Sequence, residues 1–225
     1  MSIPSTRAKT SSAIHYFDGA AVIVVERYDR MRSGTKVTRI HQEDMCQALA
    51  RMPHLKYQNQ GGPSPKEIMA LIREHSSSRE EDEARFVDAL IFNWLISGTD
   101  AHAKNYSFLI APQGQVRLSP LYDLSSALPY ARQIAPRDAT LAMKIGGKYK
   151  LLGIGAHEWK KCAGELRLDF DALRARVLFL ARALPDTARK VGDAIKAEGI
   201  AHDIIGRLSE SLAKRAVHCE AQMRR

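Results

Sequence analysis

Long apolar runs, paired cysteines and flexible linkers are what this sequence has least of. The longest uninterrupted apolar stretch, Ala20 to Val25, falls far short of the about 20 residues that a helix needs to cross a bilayer. No charged, apolar, small-residue signal pattern opens the chain. A cytoplasmic protein with no membrane partner is the expectation. The three cysteines, Cys46, Cys162 and Cys219, are odd in number and widely scattered, which excludes a disulfide framework and a local C-x-x-C metal knuckle. Cys46 and Cys162 read as reduced packing residues on helix faces. No internal repeat, low-complexity tract or Pro/Gly/Ser linker divides the chain, so residues 14–225 are expected to form one domain behind a frayed, polar start over residues 1–13.

What is present is ordinary globular material. A chain of 225 residues with 45% hydrophobic and 26% charged residues can bury one sizeable core or two small ones. The net charge is +9, and the basic excess is heaviest in the last third, at Lys160, Lys161, Arg182, Arg189, Lys190, Lys214, Arg215, Arg224 and Arg225. Such a balance suits an anionic partner, a nucleotide, nucleic acid or acidic protein. It equally suits a solvated helix surface, because carboxylates are interleaved at helical spacing.

Asp18-Gly19 beside the β-branched run Ala21 to Val25 predicts a hairpin whose second strand ends at Glu26-Arg27-Tyr28. Asp29 to Lys36 reads as a polar loop turning at Ser33-Gly34. A helix is expected from Gln42, with Met45, Leu49 and Met52 on one face and Pro53 as its stop. Ser64-Pro65 with Glu67 is a capping box opening the next helix. Glu80 to Glu83 suit the first turn of a longer one, whose buried stripe is Phe86, Ala89, Leu90, Trp94 and Leu95. Tyr106 to Ile110 and Gln115 to Leu118 predict two short strands. Ser125 to Leu152 reads as irregular chain with Gly146-Gly147 as a turn. Helices follow near His157 to Leu166, Asp171 to Leu184, Asp186 to Glu198 and His202 to Met223.

The chemistry concentrates in Thr99-Asp100-Ala101-His102-Ala103-Lys104-Asn105 and, a hairpin later, Tyr122-Asp123-Leu124. Phosphoryl transfer asks a protein mainly to align a hydroxyl and neutralise phosphate charge. Asp100 can accept the proton of an attacking hydroxyl. Asn105 and Asp123 supply hard oxygen ligands for Mg2+, and the hairpin between them brings both acids to one wall. Lys104 can steady a phosphate, and His102 can hold the loop's backbone by hydrogen bonding, a reading preferred to metal ligation because no second His or Cys lies near. His41, His54 and His75 read as surface residues. The strand end Val24 to Tyr28 can offer its backbone to an adenine edge with Tyr28 on the ring, or serve simply as a buried strand end.

These segments, together with His41 to Gln47, Lys56-Tyr57, Gly61-Gly62-Pro63 and Leu141 to Lys144, resemble the HipA kinases, toxins of bacterial type II toxin–antitoxin systems. The resemblance implies an α+β, mainly α fold, the protein-kinase-like C-terminal lobe of HipA type with short hinge and catalytic-loop hairpins. It implies ATP- and Mg2+-dependent phosphorylation of serine or threonine on a protein substrate, with Asp100 as catalytic acid, Asn105 and Asp123 as metal ligands, Glu26, Arg27 and Tyr28 as the adenine-contacting hinge, and His102, Ala103, Lys104 and Tyr122 as further nucleotide contacts. Full-length members carry a small lobe before the hinge, with a phosphate-binding loop, an ATP-contacting lysine and its acidic partner. Only a short stretch precedes the hinge here, and neither Lys9 nor Ser11-Ser12 answers to those features. The expectation is therefore a truncated or split member, either active with a separately encoded small lobe or retaining weak activity, with a HipB-like antitoxin and through it DNA as candidate partners. The alternative is a catalytically inactive lobe that acts as a partner-binding module.

Overall fold

In the computed structural model, which describes residues 12–130, 132–135 and 137–224, two hairpins come first. Strands β1 (Ser12–Phe17) and β2 (Ala20–Val25) pair antiparallel with Ile14 opposite Ile23. The turn is Asp18-Gly19, and both residues take the positive φ of a tight hairpin turn. The expected hairpin is present, but β2 stops at Val25 and does not run on to Tyr28. Ser12 and Ala13, expected in the frayed start, already belong to β1; residues 1–11, with Lys9 and Ser11, lie outside the described residues. β3 (Arg30–Ser33) and β4 (Lys36–Arg39) form a second hairpin where a polar loop was expected. Neither strand carries an apolar face, and Met31 alone packs down onto the small cluster of Ile40, Leu109 and Ala111, so no period-two signal marks them.

The helix expected from Gln42 is also corrected. Residues 41–44 are strand β5 (His41–Asp44), paired with Ser107–Ile110, and α1 (Met45–Ala48) is a single turn. The Asp44 carboxylate accepts from the Cys46 and Gln47 N–H groups at 2.9 and 3.0 Å, and this N-cap fixes where helix can begin. Ala50, at φ +52°, turns the chain away before Met52 is reached.

α2 (Pro65–His75) opens on the expected capping box: Ser64 Oγ accepts from the Glu67 N–H, and the Glu67 carboxylate accepts from the Ser64 N–H at 2.9 Å. α3 (Arg79–Leu95) follows with Glu80, Glu81 and Asp82 in its first turn and Phe86, Ala89, Leu90, Trp94 and Leu95 buried, as the stripe predicted. β6 (Ser107–Ile110) and β7 (Val116–Leu118) complete a three-stranded antiparallel sheet in the order β5-β6-β7. Gly146-Gly147 is a turn, but within a hairpin of β8 (Thr140–Ile145) and β9 (Lys148–Lys150), so the irregular stretch is shorter than expected. Leu141, Ala142, Met143 and Ile145 are all buried; without strict alternation, the strand does not announce itself.

α4 (Ala156–Leu166), α5 (Phe170–Ala197) and α6 (Asp203–Arg224) complete the chain. Pro185 does not divide α5 as expected; the helix passes straight through it. A proline inside a helix costs about 3 kcal/mol, and here packing along the whole length offsets it. Leu173, Val177, Ala181 and Leu184 are buried on one side of Pro185 and Gly192 on the other, where α6 approaches so closely that a Cβ on Gly192 would sit 3.2 Å from Ile205 Cγ2.

The main core joins α2 to α6 with the sheet and centres on Trp94 and Trp159, edge to face at 5.6 Å, and Phe86 and Tyr106 at 5.3 Å. The arrangement is α+β and mainly helical. All three cysteines are free and buried; burial pushes the Cys162 thiol up to about 12 and Cys219 to about 11. Among the described residues, no helix is long and apolar enough to cross a membrane. Half of the described basic residues named in the tail are paired: Arg182 and Arg224 with Glu220, Arg189 with Asp186, Lys214 with Glu210. Arg225 lies outside the described residues.

Candidate functional site

α3 ends at Leu95, and the next residues turn sharply. Ser97 adopts φ +55°, and a Cβ on Gly98 would fall 2.3 Å from Asn93 Oδ1, so only glycine passes here. Asn93 cannot yield, because its side-chain amide donates to the Ala89 carbonyl at 2.9 Å and to Tyr106 Oη at 3.2 Å. This turn sets Asp100 on the surface.

The Asp100 carbonyl then closes the loop on itself, accepting from the His102 N–H at 2.8 Å and from Asn105 Nδ2 at 3.0 Å. Residues Ala103–Asn105 form one turn of 3-10 helix. The Ala103 N–H donates to the Lys56 carbonyl at 3.2 Å, which fixes the buried Ala103 as a backbone anchor. Asn105 is buried, its amide nitrogen is spent on Asp100, and its oxygen remains as an acceptor. The Asp100 carboxylate is exposed and receives the Tyr57 hydroxyl at Oδ1. That bond, which favours the protonated phenol, pushes Tyr57 up to about 12.

His102 is buried behind Asp100. Its Nε2 lies 4.0 Å from Asp100 Oδ1, its ring meets Tyr57 edge to face at 5.2 Å, and its Nδ1 has no hydrogen-bond partner. Burial is the first cause of its lowered pKa and the Lys56 ammonium the second; Asp100 and Asp123 pull the other way. The imidazole is neutral at pH 7, and both carboxylates lie within electrostatic reach of it. Among the described residues no three His, Cys, Asp or Glu side chains gather into a metal cluster.

Asp123 is brought to the same face by the β6–β7 hairpin. The Ser119 N–H donates to the Ser107 carbonyl at 2.8 Å, and Tyr122 Oη donates to the Lys104 carbonyl at 2.6 Å while also meeting Ser107 Oγ. Burial pushes the Tyr122 phenol up to about 12. Asp123 follows at φ +55°, a left-handed backbone that a non-glycine residue holds where its surroundings impose it. Its carboxylate is exposed, with no ion pair or hydrogen bond among the described residues.

The hinge residues join through aromatic packing. Tyr28 stacks on Tyr122 with ring centroids 6.2 Å apart, and burial raises its phenol pKa. Gln42 donates to Ser107 Oγ at 3.0 Å. Arg27 is committed elsewhere: its guanidinium forks onto the buried Asp29 at 2.8 and 2.7 Å, with Arg30 adding a third bond, and these bonds hold Asp29 below the usual carboxylate range. The Arg27 side chain therefore braces the turn after β2, and Glu26 is exposed beside it. Lys104 pairs with Asp44 at 2.9 Å, so its ammonium is held against the α1 cap. His41, His54 and His75 are exposed.

The structure thus brings Asp100, His102, Ala103, Lys104, Asn105, Tyr122 and Asp123 together, with Tyr28 stacked on their edge. Tyr57, Gln42 and Ser107 carry part of the same network and were given no role from sequence. Tyr57 and Gln42 had a signal, their place in segments that carry the family resemblance; the contact of Gln42 with Ser107 had none, since β-pairing alone makes them neighbours.

The sequence matches the HipA-like C-terminal domain family over residues 8–208. A protein named "Putative kinase Y4mE" of Sinorhizobium fredii is 37% identical over 199 residues, covering 84% of this chain and 46% of that protein. The "Serine/threonine-protein kinase toxin HipA" of Shewanella oneidensis is 28% identical over 193 residues, covering 79% of this chain and 43% of that protein. The chain thus spans less than half the length of these two relatives. The solved complex of Shewanella oneidensis HipA with HipB and operator DNA superposes at a TM-score of 0.80 with 24% identity, over 92% of this chain and 50% of that one, which establishes a shared fold. On the family match and the kinase-like fold together, this chain belongs to the HipA-like C-terminal domain family.

Proposed function

We propose that the face bearing Asp100, Asn105 and Asp123 binds ATP with Mg2+ and transfers the γ-phosphoryl group to a serine or threonine hydroxyl of a protein, with residues 14–225 acting as one catalytic lobe. The observation that carries the reading is the loop in which Asn105 Nδ2 donates to the Asp100 carbonyl, with the exposed Asp100 and Asp123 carboxylates both within electrostatic reach of His102. One amide oxygen and one carboxylate are hard donors, and Mg2+ commonly takes few protein ligands beside phosphate oxygens and water. The residues therefore fit the ion, and Asn105 and Asp123 would hold it. Bound there, it would neutralise phosphate charge.

The chain's own groups account for the rest. Asp100 already accepts a phenolic O–H, and a substrate hydroxyl in the same place would be aligned and relieved of its proton as its oxygen attacks phosphorus and the bond to the ADP leaving group breaks. Neutral His102 backs Asp100 without adding charge. The backbone of Glu26, Arg27 and Tyr28 suits an adenine edge, with the Tyr28–Tyr122 stack beneath it; His102, Ala103 and Lys104 border the phosphates.

The exposed β1–β2 hairpin supports a second reading, a lobe that binds another polypeptide. Ile23 is 73% exposed, Phe17 61% and Val25 51%, an apolar surface of the kind that marks an interaction site. Another polypeptide segment would cover it; a HipB-like antitoxin, and DNA through it, are the partners suggested by the relative solved with HipB and operator DNA. Mg2+-dependent phosphate transfer to a protein substrate, measured with and without Asp100→Asn, tests the first reading. Transfer should fall by roughly a hundredfold or more. Transfer that survives the substitution removes Asp100 from its role, and an absence of transfer together with tight partner binding establishes the second reading.

A further inference from the structure

Arg215 differs from the other basic residues of the helical tail. It is only 8% exposed, its guanidinium makes one hydrogen bond, from Nη2 to the Trp94 carbonyl at 3.2 Å, and its Nε is buried without a partner. Two features offset part of its charge: the Trp94 ring face at 5.5 Å and the carbonyl end of α3, equivalent to about half an elementary charge. No carboxylate pairs with it among the described residues; its titratable neighbour is Cys219. The residues outside that set, 1–11, 131, 136 and 225, contain no Asp or Glu. Burial accordingly lowers the Arg215 pKa. A buried guanidinium in this state is costly, and a paired anion is the usual resolution.

Arg215 also lines a pocket of about 70 Å3, open to solvent beside the exposed Ile134 and Leu152, together with Ser97, Leu128, Ala139 and Leu151. That is about twice the roughly 30 Å3 share of a liquid water, room for an ion of a few heavy atoms. Water would fill the space but leave the charge uncompensated. The mostly apolar walls disfavour a strongly hydrated multivalent anion, and the flat guanidinium fork matches a planar oxyanion.

We propose that this cavity is a binding site for a small monovalent planar oxyanion, of nitrate or short-chain carboxylate type, ion-paired to Arg215. The site lies between the turn that leads to Asp100 and the stretch that follows Asp123. The Ala127 N–H donates to the Ser97 carbonyl at 3.1 Å and Ser126 Oγ to the Ile96 carbonyl at 2.6 Å across this junction. A bound anion would fasten the two segments to α6.

Thermal unfolding of the chain in rising sodium nitrate, with sodium acetate as the carboxylate arm, tests the proposal. The wild type should show a saturable rise in Tm of several degrees, absent in Arg215→Met, which removes the charge but keeps an apolar stem. Ala139→Val, which narrows the cavity and leaves Arg215 in place, should raise the half-saturating nitrate concentration by roughly tenfold or more; it decides the matter if Arg215→Met does not unfold cooperatively. An equal rise in the wild type and Arg215→Met, no shift of half-saturation in Ala139→Val, or no saturable rise in the wild type would overturn the proposal, the last leaving water as the occupant.

Discussion

Asp82→Ala should be among the most destabilising single substitutions in the chain. The Asp82 side chain is fully buried. It accepts from Arg117 Nε and Nη2, both at 3.2 Å, from the Leu118 N–H at 2.8 Å and from Ser76 Oγ at 2.6 Å, and so ties the start of α3 to β7. Removing one partner of a buried pair costs about 3–5 kcal/mol, and a stranded buried N–H about 1–3 kcal/mol. Arg117 keeps Glu81 at 2.8 Å, which places the expected loss near ~4 kcal/mol. For a chain of this size that is a fall in Tm of about 8–16 °C. Urea denaturation followed by circular dichroism measures it, with the midpoint falling at unchanged slope. Adding Arg117→Met to Asp82→Ala should restore about 1–2 kcal/mol, since it removes the charge left without its main partner. A loss below about 1 kcal/mol in the single variant would refute the reasoning, because the network would then be no better than a surface pair.

Tyr57, held up by its hydrogen bond to Asp100, should keep its phenol protonated until about pH 12; in Asp100→Asn its ultraviolet titration should fall back toward the ordinary value of about 10. Its stability contribution is complete below about pH 10 and is lost as pH rises toward 12. For His102, whose folded pKa is depressed, the unfolded chain takes the proton first. Stability is therefore complete above about pH 6.5 and declines as pH falls below it, and His102→Gln should flatten that part of the profile. Gly98→Ala should cost about 1–3 kcal/mol and displace the loop, because its Cβ meets Asn93; unchanged stability with unchanged Asp100 surroundings would contradict the close approach.

Local chemistry made some elements readable in advance. The Ser64 to Glu67 capping box and the acidic turn at Glu80 to Asp82 are complete within one helical turn of sequence, and α2 and α3 begin where those residues require. The nearness of Asp100 and Asn105 was readable for the same reason, since the two share one closed loop. What was not readable depends on distant partners. β5 exists because residues 41–44 pair with Ser107–Ile110, and Met45, Leu49 and Met52 mimic a helical face that the Asp44 cap and Ala50 cut short. Pro185 signals a break, and only the length of the α5–α6 interface overrides it. Tyr57 on Asp100, Gln42 on Ser107 and Asp44 on Lys104 are side-chain pairs that no spacing reveals.

Calorimetric titration of ATP into the chain with and without Mg2+ asks whether Asn105 and Asp123 with Asp100 form a metal–nucleotide face. Binding should require Mg2+ and be lost in Asp123→Ala and Asn105→Ala, while Asp100→Asn retains it. Binding indifferent to Mg2+ or to both substitutions, or no binding at millimolar ATP, would contradict such a face.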